Sequence, residues 1–323
     1  MNEEKLPRNL GLELVRATEA AALAAGGWIG LGDAVQPDQI ASQAMRKVLD
    51  AIDFNGTIVL GEEDRRDHDL DLTSQRHVGT GSGPAVDVVA DPIDGRMQLA
   101  RGYPGAVSVI AVAPRNTIWQ PLHAAYMEKI IVDEEVAPYL VEDCLDAPAA
   151  WTLSLVARAK GMKVNNLTVF VLDRPRHAYL IDEIRASGAH VILRQDGDVA
   201  GALVVSTPRT GVDVLMGTGG VPEGLLAACA LKTLGGALIG RLNPQSDAEK
   251  QALLDAGYDL HAIFRTQDLV KSDQVFFSAT GITDGMLLKG VMFRGKKAET
   301  HSLILRSETG TRRFVVAEHV LER

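Results

Sequence analysis

Ala85-Val-Asp-Val-Val-Ala-Asp-Pro-Ile-Asp-Gly95 sets the organisation of this chain. Val86 to Ala90 has the composition of a strand and runs straight into Asp91, a proline, and a second carboxylate three residues on, Asp94. Pro92 offers no N–H to a ladder and holds Asp91 extended, while Gly95 lets the chain turn sharply. The strand is therefore expected to end at Asp91 and a tight turn to follow. Two carboxylates on a stiff corner suit a hard divalent cation such as Mg²⁺ or Mn²⁺, which takes oxygen ligands. A capped surface turn with solvated acids accounts for the same residues, because Asp, Pro and Gly are ordinary turn formers. Taken by itself, the segment leaves both readings open.

Composition narrows the classes around it. With 323 residues, 46% hydrophobic and 23% charged, the chain reads as a soluble globular protein long enough for two domains. A net charge of −9 argues against a nucleic-acid binder, whose affinity rests on clustered Lys and Arg. Cys144 and Cys229 show no paired spacing, so neither a disulfide framework nor a thiolate metal site is indicated, and a reducing cytoplasm is expected. The Met-Asn-Glu-Glu-Lys start lacks a basic region followed by an apolar run, and no apolar stretch approaches the ~18 residues of a membrane span.

Upstream of the segment, Leu10, Leu14, Ala17, Ala21 and Leu23 repeat at helical spacing over residues 10 to 28. A second helix is expected from Pro37, with Ile40, Ala44, Met45, Val48, Leu49 and Ile52 on one stripe and Asp38 in its first turn. Thr57 to Leu60 reads as a strand, residues 61 to 71 as an acidic loop, and Ala106 to Ala113 as a buried strand. From Thr152 the pattern changes to alternating helices and strands, which favours an α/β layered fold with a boundary near residue 165. Further strands are expected at 275–278, 302–306 and 313–317.

Several other places carry chemistry. Glu62 follows a strand directly, as Asp91 does. If the two strands are neighbours, Glu62, Asp91 and Asp94 converge at one sheet end, where α/β active sites form. The rest of that loop, with Arg65, Arg66 and His68 among its acids, reads as solvated surface. Gly217-Thr-Gly-Gly220 precedes a helix expected from Pro222 and can cradle an anion on its N–H groups. Glu223, in that helix's first turn, either ligates a metal or simply complements the helix dipole. Arg174 and Arg176 stand where a helix begins, an unfavourable place for cations, which favours a phosphate-gripping role. Asp196 and Asp198 either bind sugar hydroxyls or cap a helix. Tyr126 either bonds a ligand or is a partly buried tyrosine with its hydroxyl satisfied.

Together these elements resemble the class II fructose-1,6-bisphosphatases, a branch of the lithium-sensitive, metal-dependent phosphatases that includes the inositol monophosphatases. The likeness spans nearly the whole chain: Arg16 to Ala22, Gly32-Asp33, Ala44 to Arg46, Gly56 to Glu62, Val78 to Gly81, Asp91 to Gly95, Tyr126 to Lys129, Arg174 to His177, Asp196 to Val199, Gly217 to Gly224 and Ser278 to Thr283. The resemblance implies an α-β-α-β-α sandwich in two subdomains, 1–165 and 166–323. It places metal ligands on Asp38, Glu62, Asp91, Asp94 and Glu223, holding two or more Mn²⁺ or Mg²⁺ ions. Substrate contacts fall on Asp94, Gly95, Arg96, Tyr126, Arg174, Pro175, Arg176, Asp196, Gly197, Asp198 and Gly220. The activity implied is removal of the 1-phosphate of fructose 1,6-bisphosphate, in gluconeogenesis, with sedoheptulose 1,7-bisphosphate or another phosphoester as the alternative. Members of the family are commonly oligomeric, so a homo-oligomer is expected.

The chain also departs from the family. Where the family turn continues with a threonine that orients the attacking water, this chain has Arg96, which has no acceptor for a proton. The lysine usual after Gly-Asp is Ala34, the family's Gly-Glu-Gly is Gly61-Glu62-Glu63, and the remaining catalytic acid aligns loosely with Asp67. A reading of another class follows from Arg96: a catalytically weakened paralogue that binds sugar phosphate or metal as a sensor or assembly partner.

Overall fold

The structure, a computed structural model, describes residues 5–61 and 72–321. The chain divides into two compact units, one built from residues 1–120 with 271–323 and the other from 121–270. The boundary expected near residue 165 falls inside the second unit. The division departs from it because the C-terminal strands return to the sheet begun by the N-terminal ones, so the first unit is discontinuous in sequence.

The first unit opens with α1 (Leu10–Gly26), α2 (Gln36–Leu49), β1 (Asn55–Leu60), β2 (His77–Val78), β3 (Ala85–Asp94), α3 (Arg96–Arg101) and β4 (Val107–Pro114). The second unit holds β5 (Tyr126–Val132), α4 (Ala149–Ala159), β6 (Thr168–Leu172), α5 (Ala178–Ala186), β7 (His190–Arg194), α6 (Asp198–Val205) and β8 (Val214–Gly220). It continues through α7 (Val221–Leu234), β9 (Ala237–Leu242), α8 (Asp247–Asp255), β10 (Phe264–Arg265) and α9 (Thr266–Leu269). The chain then re-enters the first unit with β11 (Phe276–Gly281), β12 (Met292–Arg294), β13 (Lys297–Arg306) and β14 (Thr311–Val320). The fold class is α/β, as expected.

In the first unit the strand order is β12-β13-β11-β4-β3-β1-β2, with β14 added to β13. Only β1 and β3 run parallel; the other pairings are antiparallel. Leu10, Leu14, Ala17 and Ala21 of α1 and Met45 and Leu49 of α2 bury against Val88, Ile110, Val112 and Phe276 of the sheet, the stripes expected from the helical spacing. Within this apolar layer, Thr18 of α1 bonds Ser278 at 3.1 Å and Thr280 at 2.7 Å, and Thr280 bonds Ser302 at 2.8 Å. All four hydroxyl residues are fully buried. Mutual pairing is what permits them there, since a buried hydroxyl without a partner is costly. The family-like segments around Thr18 and Ser278 thus tie a helix to a sheet.

In the second unit the order is β10-β9-β5-β8-β6-β7, with β6 parallel to both β7 and β8. Val169 and Val171 face a core shared with Leu153 and Val156 of α4 and Ile184 of α5. On the opposite face Phe170 lies against Gly201 of α6, where any Cβ would collide with its ring. Helices therefore cover both faces, as the alternating pattern from Thr152 predicted.

β3 differs from expectation in one respect that matters. It does not stop at Asp91 but continues through Pro92 to Asp94. Asp91 pairs with Val109 and Asp94 with Val107, so β3 carries one residue more than β4 over this stretch, a β-bulge. Pro92 sits inside the bulge, where the missing N–H costs no ladder bond.

Candidate active site

In the first unit the bulge re-aims the end of β3. Asp91 and Asp94 are 4% and 3% exposed, and Asp38, in the first turn of α2, is 3% exposed. Carboxylates are rarely buried so deeply without a compensating charge, so the solvated-turn reading fails. The Asp91 carboxylate accepts the Ile93 N–H at 3.0 Å, which stiffens the corner. Gly95 follows at φ +97°, a left-handed conformation, and Ala106 Cα would lie 3.1 Å from any Cβ there. Arg96 begins α3, and its Nη1 donates to Asp38 Oδ2 at 3.3 Å. β1 and β3 are parallel neighbours, so the condition set for convergence of Glu62 with Asp91 is met at the level of the strands. Glu62 and Asp67 themselves lie outside the described residues.

Oxygen-only donors of this kind fit a hard divalent cation in chemistry. Among the described residues, no three His, Cys, Asp or Glu side chains form a group able to hold a metal ion. The arginine on Asp38 supplies positive charge beside that carboxylate.

In the second unit the Gly217-Thr-Gly-Gly220 segment, expected as a glycine-rich anion cradle before a helix, is strand. It is the end of β8 and feeds directly into α7. Its glycines admit neighbouring side chains rather than freeing N–H groups. A Cβ at Gly219 would overlap the Asp198 carboxylate, and one at Gly220 would overlap that of Glu223, which folds back over the strand from the first turn of α7. Tyr126, at the start of β5, pairs directly with Gly220.

Arg176 lies on the short turn after β6, with its guanidinium 5.3 Å from the centroid of the Tyr126 ring. Nε and Nη2 both donate to the Thr218 carbonyl, at 3.1 and 2.7 Å. Burial lowers its pKa from the usual arginine value, the Tyr126 ring partly offsets this, and the nearby Arg174 lowers it further. Arg174 Nη2 stands 3.8 Å from Asp196 Oδ1. Gly197, in the left-handed region, turns the chain into α6 at Asp198, so a helix begins here as expected, but Gly197 and not an aspartate occupies the cap position. Pro175 is exposed on the turn between the two arginines.

Asp198 does not face solvent. It is buried and bound by Lys129 Nζ at 2.5 Å, with the lysine 1% exposed. No role was read for Lys129 from the sequence, although the signal was present: in β5 it shares the buried parity of Met127 and Ile131, where a lysine survives only if paired. Asn243 was also missed. Its side-chain amide donates to Thr218 Oγ1 at 2.8 Å, which fixes the strand that carries Arg176's acceptor.

His177 is buried beneath these residues. Its Nδ1 bonds the Leu172 carbonyl at 2.7 Å, and its Nε2 accepts the Thr218 N–H at 2.8 Å, which together require a neutral ring protonated on Nδ1. Burial lowers its pKa, and the hydrogen bond to Leu172 only partly opposes this. It is a structural histidine.

The structure therefore places Asp38, Asp91, Asp94, Gly95 and Arg96 in the same unit, with Arg96 in contact with Asp38. In the other it brings together Tyr126, Arg174, Arg176, Asp196, Gly220 and Glu223. A family model described as bacterial fructose-1,6-bisphosphatase, glpX-encoded, matches residues 8–319. A class 2 fructose-1,6-bisphosphatase of Haemophilus influenzae is 37% identical over 98% of this chain and 97% of its own. Fructose-1,6-bisphosphatase 1 class 2 of Escherichia coli K12 is also 37% identical, over 98% and 96%. Among solved structures, an inositol monophosphatase from Zymomonas mobilis matches with a TM-score of 0.34 and 15% identity, covering 63% of this chain and 74% of that one.

Proposed function

This chain belongs to the glpX-encoded bacterial fructose-1,6-bisphosphatases, a family of sugar-phosphate hydrolases, and from that premise we propose that it removes the 1-phosphate of fructose 1,6-bisphosphate with divalent cations. The observation that carries the reading is the bulged end of β3, which buries Asp91 and Asp94 in the unit that also buries Asp38. With Glu62, these carboxylates would hold Mg²⁺ or Mn²⁺. Bound there, such cations supply Lewis acidity to the scissile phosphate and acidity to a water.

The other residues position and balance charge. Arg176, placed over the Tyr126 ring and anchored to the Thr218 carbonyl, keeps Nη1 for a phosphate oxygen. Arg174 adds a second fork, and two guanidinium groups suit the far phosphate of a bisphosphate. Asp198 serves by structure: its ion pair with Lys129 fixes the 196–198 turn, leaving Asp196 and Gly197 to meet sugar hydroxyls. Arg96 cannot accept a proton, so its part is electrostatic. Proton removal would fall to Asp67. Cytoplasmic location and a place in gluconeogenesis accompany this reading.

A second reading has one observation in its favour. The Arg96–Asp38 contact puts a fixed cation on a carboxylate meant for a metal, as expected of a weakened paralogue that binds sugar phosphate without turning it over. Steady-state assays with fructose 1,6-bisphosphate, sedoheptulose 1,7-bisphosphate and a panel of monophosphates distinguish the two. The proposal expects kcat/KM to be highest for a bisphosphate. Saturable bisphosphate binding without turnover would favour the paralogue instead.

A further inference from the structure

Arg176 rests on two supports that belong to different strands. One is the Tyr126 ring at the start of β5, and the other is the Thr218 carbonyl near the end of β8. Topology leaves that carbonyl open to a side chain. The ladder between β6 and β8 covers Val214 and Leu215 alone, and past it Arg176 and His177, on the turn after β6, take the Thr218 carbonyl and N–H in place of a neighbouring strand.

Asn243, one residue past the end of β9, reaches both supports. Its backbone N–H donates to the Tyr126 carbonyl at 3.0 Å, and its side-chain amide donates to Thr218 Oγ1 at 2.8 Å. Thr218 is 6% exposed, and its N–H, carbonyl and hydroxyl are met by the side chains of His177, Arg176 and Asn243. Asn243 is itself restrained. Pro244 disfavours a helical backbone before it, and Gln245 Nε2 donates to its carbonyl at 2.8 Å. Glu249, in the first turn of α8, closes the frame: one carboxylate oxygen accepts the N–H groups of Ala125 and Tyr126 at 2.9 and 3.1 Å, and the other accepts that of Gln245 at 2.8 Å.

A guanidinium fork holds phosphate best when its orientation is set before the ligand arrives, because ordering a long side chain on binding costs entropy. Resting on the reading that Arg176 grips the phosphate that is not cleaved, we propose that Asn243 is a positioning residue for that phosphate. It ties the ring under Arg176 to the carbonyl that anchors it, and so sets how tightly the second phosphate is held without touching substrate. That phosphate does not react, so its contacts are equal in ground and transition states, and loosening them raises KM while leaving kcat alone. An asparagine that only satisfied a buried hydroxyl would, when lost, lower stability and affect every substrate alike.

The variants Asn243→Leu, Thr218→Val and the two combined test this in full-length protein with Mg²⁺ or Mn²⁺, with melting curves as a check on folding. Asn243→Leu should raise KM for fructose 1,6-bisphosphate about five- to tenfold, the scale of one hydrogen bond, with kcat within about twofold. Fructose 6-phosphate, which carries only the phosphate assigned to Arg176, should bind more weakly by the same factor in calorimetric titration. The inhibition constant of fructose 1-phosphate, which lacks that phosphate, should not move. Thr218→Val should repeat the change, and the combined variant should add nothing, because both single variants remove the same bond. Equal losses with and without the second phosphate, a fall in kcat alone, unchanged affinities, or additive losses in the combined variant each overturn the proposal. Wild type that binds fructose 6-phosphate but hydrolyses nothing overturns the hydrolysis reading, and the fructose 6-phosphate titrations then decide this proposal by themselves. Wild type that binds fructose 6-phosphate no better than fructose overturns the phosphate role of Arg176 and this proposal with it.

Discussion

Arg96 keeps its charge at any physiological pH and cannot accept a proton, so beside Asp38 it behaves as a permanent counter-ion. Two unit charges about 4 Å apart interact by roughly 1 kcal/mol in water and about 4 kcal/mol at an effective dielectric of 20. Arg96→Thr should therefore tighten divalent-cation binding by about tenfold or more in calorimetric titration; unchanged affinity would remove Arg96 from the electrostatics of the site. Asp91→Asn should do the reverse, weakening cation binding and lowering turnover by about 100-fold or more, on the scale of losing one transition-state contact. His177 gives a pH signature. Its ring resists protonation in the folded state, because burial lowers its pKa, whereas the unfolded chain takes a proton near the ordinary histidine value of about 6.5. Its contribution is complete above pH 6.5 and is lost as pH falls below it. His177→Leu, which leaves both the Thr218 N–H and the Leu172 carbonyl without their partner, should cost about 1–3 kcal/mol at pH 7.5. The gap from wild type should narrow in denaturant titrations as pH drops through 6 to 5.

The elements show which parts of this site could be read in advance. Strand and helix identities followed from period: α1 and α2 from their apolar stripes, and the second unit from its alternation. The carboxylates at strand ends were legible because acids do not follow apolar runs without cause. Two features were not. Pro92 signalled the end of a strand, but a bulge accommodates it, and the bulge depends on β4, which lies beyond the local sequence. The glycines of β8 signalled an anion cradle, because sequence does not reveal that Asp198 and Glu223 need the space a Cβ would fill. The same limit hid Lys129, whose role depends on a partner 69 residues away. Breaking that pair by Lys129→Met should cost about 3–5 kcal/mol, because Asp198 is left buried and uncompensated. Lys129→Met with Asp198→Leu should recover most of the loss in thermal and denaturant melts. Additive losses would mean that the pair is held by its surroundings and not by its charges.

At the scale of the whole molecule, the first unit is made from both ends of the chain and the second from its middle. The boundary expected near 165 missed this because texture along a sequence cannot show that β11 will lie between β4 and β13. The family-like residues divide between the units accordingly, acids with Arg96 in one and Tyr126 with Arg174 and Arg176 in the other. Full-length protein is thus the proper subject for any functional test. The most direct is a ³¹P NMR time course on fructose 1,6-bisphosphate with Mg²⁺ or Mn²⁺, and again with excess chelator. Loss of the 1-phosphate resonance, with growth of inorganic phosphate and fructose 6-phosphate only while the cation is free, is the predicted result. An unchanged spectrum with both cations, or hydrolysis that continues undiminished under chelation, would contradict the account.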